Sequence, residues 1–196
     1  MSAHVATRLA WGLFAAFVAL ALGTVASVAF AGGSSDTAFI LLAIGYPAVG
    51  TLIASRHRAS PIGWILLAIA LSFAFSGFGD AYAASTSHPG VELVGWLASL
   101  SWYVWLTLAA IFLPLLFPDG RLLSRRWRPV AWLGAVALGS SILAAALKPG
   151  ALDLDSAEAI DNPLGVGGAA AEVVAVLQDL SNVLLASDSC SPPPRS

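Results

Sequence analysis

The chain has 196 residues, of which 58 % are hydrophobic and 10 % charged, with a formal net charge of −2 and one cysteine. Soluble domains carry about 25 % charged residues, so a water-soluble fold of this composition would have to expose much of its apolar surface. The composition therefore predicts an all-α integral membrane protein without an internal disulfide, and it gives no indication of a cofactor, a metal or a nucleic-acid partner.

Five apolar segments predict transmembrane helices, because a helix crossing about 30 Å of hydrocarbon needs roughly 20 residues. In chain order they are 9–31, 37–55, 62–84, 93–117 and 129–147. A sixth segment, 167–186, is weaker because it contains Glu172 and Asp179, and a central acidic residue costs about 2.5–3.5 kcal/mol on insertion. The prediction is a multi-span domain over 1–186, followed by a disordered Pro/Ser tail over 187–196.

The first segment also has the features of a secretory signal. Arg8 precedes the apolar run, and Ala29-Phe30-Ala31 forms an A-x-A string. Signal cores are typically about 7–15 residues long, which favours an uncleaved span here. Among the other spans, Pro47 predicts a kink, and Pro129 suits the first turn of the fifth helix.

Basic residues identify the predicted cytoplasmic side. Short links make successive helices antiparallel, and loops rich in arginine stay in the cytoplasm. We therefore predict a multi-pass protein of the cytoplasmic membrane, with its N-terminus inside and these residues at the inner leaflet: Arg8, Arg56, Arg58, Arg121, Arg125, Arg126 and Arg128. The other side receives Lys148 as its span-flanking basic residue and these acids: Asp36, Glu92, Asp153, Asp155, Glu158 and Asp161.

The densest basic stretch is FPDGRLLSRRWRPVAW at 117–132. Topology accounts for its arginines, although binding of anionic lipid or nucleic acid is an alternative; anionic lipid is expected to accompany the topological role. The string FPDG predicts a tight turn that closes the fourth helix. Four tryptophans lie near the predicted interfaces, as an aromatic belt requires: Trp64, Trp96, Trp127 and Trp132.

Candidate chemistry is sparse. Gly77-Phe78-Gly79-Asp80 is a G-x-G-D string of the kind found in intramembrane aspartyl proteases, with Asp179 as the potential second carboxylate. Glycines that pack helices are the preferred interpretation. Asp80 is nevertheless an ionisable group near membrane depth, and it could line an outward-facing polar pocket with Tyr82 and His88. The aromatic group Trp102-Tyr103-Trp105 either stacks a flat ligand or simply packs.

Three strings carry a resemblance to a known family: GTLIASRHRASPIGWILLAIAL (50–71), FPDGRLLSRRWRPVAW (117–132) and NPLGV (162–166). Together they resemble the N-terminal membrane region of actinobacterial sensor histidine kinases, over roughly residues 40–170. Leu123 replaces the proline that is usual in the second string. In that family a dimerisation helix and an ATP-binding domain follow the sixth span, whereas this chain ends in ASDSCSPPPRS.

The resemblance implies the sensory input module of a two-component kinase, truncated before any catalytic domain and therefore without kinase activity. A small transporter or channel subunit and, remotely, an intramembrane protease are the alternatives. Lipid is the predicted partner, and a homodimer through the spans is possible in such a module. The predicted sensing residues are Asp80, Tyr82, Asp153 and Asp155.

Overall fold

The computed structural model describes residues 3–30, 44–57, 59–84, 89–122, 124–152, 154, 160–168, 172–174 and 176. Within these residues the secondary structure is helical, apart from one isolated antiparallel bridge between Ala151 and Asp161. The prediction of an all-α fold is confirmed for this part of the chain.

Six α-helices follow one another along the described residues. They are α1 (Ala3–Phe30), α2 (Gly45–Arg56), α3 (Pro61–Ala83), α4 (Val91–Thr107), α5 (Leu113–Leu116) and α6 (Arg128–Leu147). A π turn (Leu108–Phe112) joins α4 to α5, and a 3-10 turn (Arg125–Trp127) leads into α6.

Four stretches are long and apolar enough to cross a membrane: His4–Ala29, Pro61–Ala83, Val91–Leu116 and Arg125–Leu147. They correspond to the predicted first, third, fourth and fifth spans. The largest difference in bounds is at α1, which begins at Ala3 instead of residue 9. The predicted span begins after Arg8 because that residue is charged. A helix can nevertheless include a charged residue whose side chain reaches the interface.

The predicted second span differs from the other four. Its described part is α2, whose 12 residues extend only about 18 Å at 1.5 Å per residue. Residues 37–43 lie outside the described residues. Pro47 lies in the first turn of α2, where its missing N–H removes no intrahelical bond. A kink at Pro47 would require helix on both sides of it. The residues immediately before Ile44 lie outside the described part, so the kink stays a prediction.

Two further predictions fall mostly outside the described residues. Of the sixth segment, only residues 167–168, 172–174 and 176 are described, and Glu172–Val174 and Val176 are helical. The Pro/Ser tail at 187–196 lies wholly outside the described part. The sixth span and the tail therefore stay predictions.

Prolines shape the helix starts and the π turn. Pro61 and Pro129 lie in the first turns of α3 and α6, as expected for residues without a backbone N–H. Pro114 follows the π turn, and it has no N–H for the Ala110 carbonyl four residues earlier. The backbone there widens, so that the cap N–H of Leu113 bonds to the Leu108 carbonyl.

Helix α3 lies at the centre of the bundle. It contacts α1, α2 and α4, and α6 packs on the far side of α4. Small side chains allow the close approach, as is usual in membranes: a Cβ at Gly63 would lie 2.6 Å from the Ala54 nitrogen of α2. The buried clusters that join α1 to its neighbours are Ala10–Ala54–Leu67 and Phe17–Ala70–Ala74.

These contacts fix the relative directions of the helices. Contacts of α1 with α3 advance together, from Ala10–Leu67 to Gly23–Phe78, so the two helices are parallel. Helices α2 and α4 run antiparallel to α3, and α6 is antiparallel to α4, since Gly134 meets Ile111 while Trp96 meets Ala146. One end of the bundle therefore holds the N-termini of α1, α3 and α6.

Candidate functional site

Arginines collect at a single end of the bundle. We call it the arginine end, and its described members are Arg8, Arg56, Arg121, Arg125, Arg126 and Arg128. Arg58 lies outside the described residues. Asp119 is the acid that the described residues place at this end, whereas Asp80, Glu92 and Asp161 lie at the opposite end. The charge asymmetry predicted along the chain is thus an asymmetry between two ends of the fold.

A cleft opens at the arginine end, between the α2–α3 link and the turn after α5. Its volume is about 1300 Å³. We call it the basic cleft. The first wall comes from the end of α2 to the start of α3, including Ile53, Arg56, His57 and Pro61, and the second comes from Phe117 to Leu122. The sequence predicts that the arginines of both links lie at the cytoplasmic side. It does not predict that the two links face each other.

Local hydrogen bonds hold each wall of the basic cleft. On the first wall, the His57 N–H bonds to the Ile53 carbonyl at 2.6 Å, and the Ser60 N–H bonds to the His57 carbonyl at 2.9 Å. On the second, the Gly120 N–H bonds to the Leu116 carbonyl at 2.7 Å. The predicted turn at FPDG is therefore confirmed, and it contains a cis bond between Phe117 and Pro118.

The two walls meet at Gly120 and Pro61. Gly120 has φ +70°, and a Cβ placed there would lie 2.7 Å from Cγ of Pro61. Only glycine combines this left-handed backbone with so close a neighbour. The strings PIGW and FPDGR, distant in sequence, are consequently in direct contact at the arginine end.

Two of the predicted sensing residues, Asp80 and Tyr82, lie at the opposite end. Asp80 is half-buried near the end of α3, and the Tyr82 hydroxyl donates a 3.0 Å hydrogen bond to the Pro89 carbonyl. Tyr82 thereby braces the α3–α4 link. His88, Asp153 and Asp155 lie outside the described residues, so the polar pocket predicted there is described only in part.

Asn162 organises the same end, and sequence analysis did not predict its role. Its side-chain amide donates to the carbonyls of Ala145, Ala146 and Lys148 at 3.4, 3.1 and 2.8 Å. Its Oδ1 accepts the Leu164 N–H at 3.0 Å. A helix leaves its last carbonyls without intrahelical donors, and Asn162 donates to two of those of α6, at Ala145 and Ala146. The sequence feature that could have indicated this capping role is the turn NPLGV, which begins with asparagine and follows an apolar helix.

Trp96 adds a second contact at the end of α6. Its indole N–H donates to the Ala146 carbonyl at 3.2 Å, which links α4 to α6. Trp64 packs against the cluster formed by Ala10, Ala54 and Leu67. These two tryptophans therefore have specific packing roles, whereas Trp127 and Trp132 are 45 % and 72 % exposed, as an interfacial belt would require.

The G-x-G-D string contributes to helix packing through one of its glycines. A Cβ at Gly79 would overlap the Cβ of Ala98 on α4, whereas a Cβ at Gly77 would meet nothing within 4 Å. This contact supports the packing interpretation at Gly79. Asp179, the second acid of the protease alternative, lies outside the described residues. Within the described part, no three His, Cys, Asp or Glu side chains group as a metal site would require.

The aromatic group of α4 packs on itself and on α3. Trp105 makes edge-to-face contacts with Phe73 and Trp102, with ring centroids 5.4 and 4.8 Å apart. Its indole N–H is buried and has no hydrogen-bond partner. The contact with Phe73 favours the packing interpretation over a ligand-stacking platform.

Comparisons with protein-family models, with curated proteins and with solved structures return no match. The resemblance to sensor kinases therefore stays a prediction from the sequence strings.

Proposed function

We propose that this chain is a sensory input module embedded in the cytoplasmic membrane, which responds to its surroundings by rearranging its helices. Four apolar helices of spanning length support the membrane location. The proposal gives the chain a role in signal reception and assigns no phosphotransfer to its residues. A homodimer formed through the spans is part of the proposal.

One observation carries the proposal: two of the strings that resemble the sensor-kinase family meet in the fold. Gly120 of FPDGR packs on Pro61 of PIGW. The third string, NPLGV, provides Asn162, which caps α6 at the opposite end. Each string thus fixes the ends of helices relative to one another, which is what a module that reports helix positions requires.

A path for the signal follows from these contacts. At the opposite end, Tyr82 ties α3 to the following link, and Trp96 ties α4 to α6. A ligand or a membrane change that alters these bonds would shift α3 and α6, whose N-termini lie at the arginine end. Rigid helices can transmit such shifts when two packed arrangements differ little in free energy.

A chimera tests the proposal. Residues 1–186 are joined to the dimerisation and ATP-binding domains of an actinobacterial sensor kinase, and autophosphorylation is measured in membrane vesicles. We expect Tyr82→Phe and Asp80→Asn each to change the phosphorylation level about fivefold or more, the lower range of allosteric coupling. Tyr46→Phe is the matched control because Tyr46 is exposed on α2. Equal phosphorylation in all variants would contradict a sensory role for this end.

A transporter or channel subunit is the second candidate, and buried hydroxyls favour it. Thr51, Thr107 and Ser141 lie on three different helices, are at most 2 % exposed, and have no hydrogen-bond partner among the described residues. Polar groups buried in a bundle without partners are costly, and a polar solute could satisfy them. Solute flux into proteoliposomes that Thr107→Val or Ser141→Ala reduces would favour this candidate over the input module.

A further inference from the structure

The position of the basic cleft limits what it can bind. It lies where α2 and α5 end and α3 begins, at one end of the bundle and level with the ends of three helices. If the four long helices span a bilayer, this level corresponds to the lipid headgroups. Its volume of about 1300 Å³ exceeds the roughly 300–1,000 Å³ of ordinary small-ligand pockets, so a headgroup and the start of its acyl chains fit.

Positive charge predominates among the described lining residues of the basic cleft. Arg56 lies on the first wall and Arg121 on the second, and both side chains are exposed. Asp119 is the acid among the described lining residues, against two arginines. Two guanidinium groups on facing walls suit a phosphate group, because each presents a planar fork of donors.

The N-terminus of α3 adds to the positive electrostatic potential of the basic cleft. Ser60 precedes the helix, and its side chain makes no capping hydrogen bond. The first N–H groups of a helix lack intrahelical acceptors, and the helix dipole makes this terminus favourable for anions. Here the terminus strengthens a site that the arginines define.

Apolar side chains complete the lining and distinguish a lipid from a soluble phosphate. Ile53 and Leu122 line the basic cleft with Phe117, which is 61 % exposed. A soluble anion would gain nothing from these groups, whereas a phospholipid would place its glycerol and upper acyl carbons against them.

We propose that the basic cleft binds the phosphate headgroup of an anionic phospholipid, held between Arg56 and Arg121. The bound lipid bridges the α2–α3 link and the turn after α5, and so adds to the contact between Pro61 and Gly120. The proposal rests on the membrane location and is independent of the sensory role, so the chimera can fail while lipid binding persists.

Native mass spectrometry of the detergent-solubilised full chain tests the proposal, with phosphatidylglycerol and phosphatidylcholine as probes. The double variant Arg56→Gln/Arg121→Gln is expected to weaken phosphatidylglycerol binding about 30-fold, since each charge contributes about 1 kcal/mol near an anionic surface. Arg125→Gln/Arg126→Gln is the matched control, with the same charge change outside the lining of the basic cleft. It should weaken binding about threefold or less, because Arg125 and Arg126 do not line the basic cleft and would act on the lipid only through the screened general field.

A variant with the opposite effect protects the test from a folding defect. Asp119→Asn removes the acid of the lining and should tighten phosphatidylglycerol binding about threefold or more. Equal losses in the two double variants, or equal binding of the two lipids by the unaltered chain, would overturn the proposal. Competition by inorganic phosphate without any preference between the lipids would also overturn it, because the ligand would then be soluble.

Discussion

Glycine illustrates how one residue type takes different structural roles in this protein. Gly90 and Gly120 both have φ +70°. Nothing lies within 4 Å of a Cβ placed at Gly90, whereas a Cβ at Gly120 would overlap the ring of Pro61. Both positions need glycine for the backbone, and only Gly120 also needs it for a tertiary contact.

Replacing Gly120 separates these two effects. A left-handed backbone costs an L-residue about 1–2 kcal/mol, and overlap with a packed neighbour adds about 1–3 kcal/mol. We expect Gly120→Ala to lower the free energy of unfolding by about 1–3 kcal/mol more than Gly90→Ala. SDS titration in mixed micelles, followed by circular dichroism, measures both. Equal losses would mean that the contact with Pro61 contributes nothing to stability.

At the scale of the elements, the interface between α3 and α4 depends on a very close approach. Gly79 faces Ala98, which is fully buried. Without a hydrophobic effect between helices in lipid, van der Waals packing between small residues provides much of the attraction. Any added atom at the point of contact separates the helices along their length.

Gly79→Ala should therefore destabilise the bundle although alanine favours helices. The new Cβ meets another Cβ, which no side-chain rotation can move, and overpacking of this kind costs about 1–3 kcal/mol. Gly77→Ala is the control: its Cβ meets nothing, and the helix propensity favours alanine by about 1 kcal/mol. Thermal unfolding in detergent should give a lower midpoint for Gly79→Ala alone; a lower midpoint for both would contradict the packing argument.

At the scale of the whole molecule, charge separates the two ends of the bundle. The arginine end carries six described arginines and one described acid. Because loops rich in arginine are retained in the cytoplasm, this asymmetry predicts the orientation of the entire fold. The predicted orientation would put the basic cleft at the leaflet where anionic lipids are enriched.

Cysteine labelling on intact cells tests that orientation. Two single-cysteine variants are made in a Cys190→Ser background: Ser124→Cys at the arginine end and Leu164→Cys at the opposite end. The side chains of Ser124 and Leu164 are both exposed. A membrane-impermeant maleimide should label Leu164→Cys directly and Ser124→Cys only after permeabilisation. The reverse pattern would contradict the predicted orientation.

Replacing Arg121, Arg125, Arg126 and Arg128 with glutamine should give a mixture of both patterns.

Part of the fold was predictable because hydropathy acts over contiguous residues. The four helices of spanning length match four predicted spans, and Pro129 occupies the first turn of α6 as predicted. The π turn before Pro114 and the role of Asn162 were not predicted. Each depends on whether particular backbone carbonyls receive a hydrogen bond from a neighbouring element. Local sequence patterns do not show this.

The sequence by itself determined that the chain is helical, that its spans are apolar and that its arginines fall at alternate links, since these properties follow from composition and from distance along the chain. Only the tertiary structure decided that Pro61 meets Gly120, that Gly79 meets Ala98 and that Arg56 and Arg121 line the same cleft. Those pairs are distant in sequence, and in lipid they are selected by close packing. Packing depends on which helix faces turn toward each other, and hydropathy that is nearly uniform around a helix carries no information about its faces.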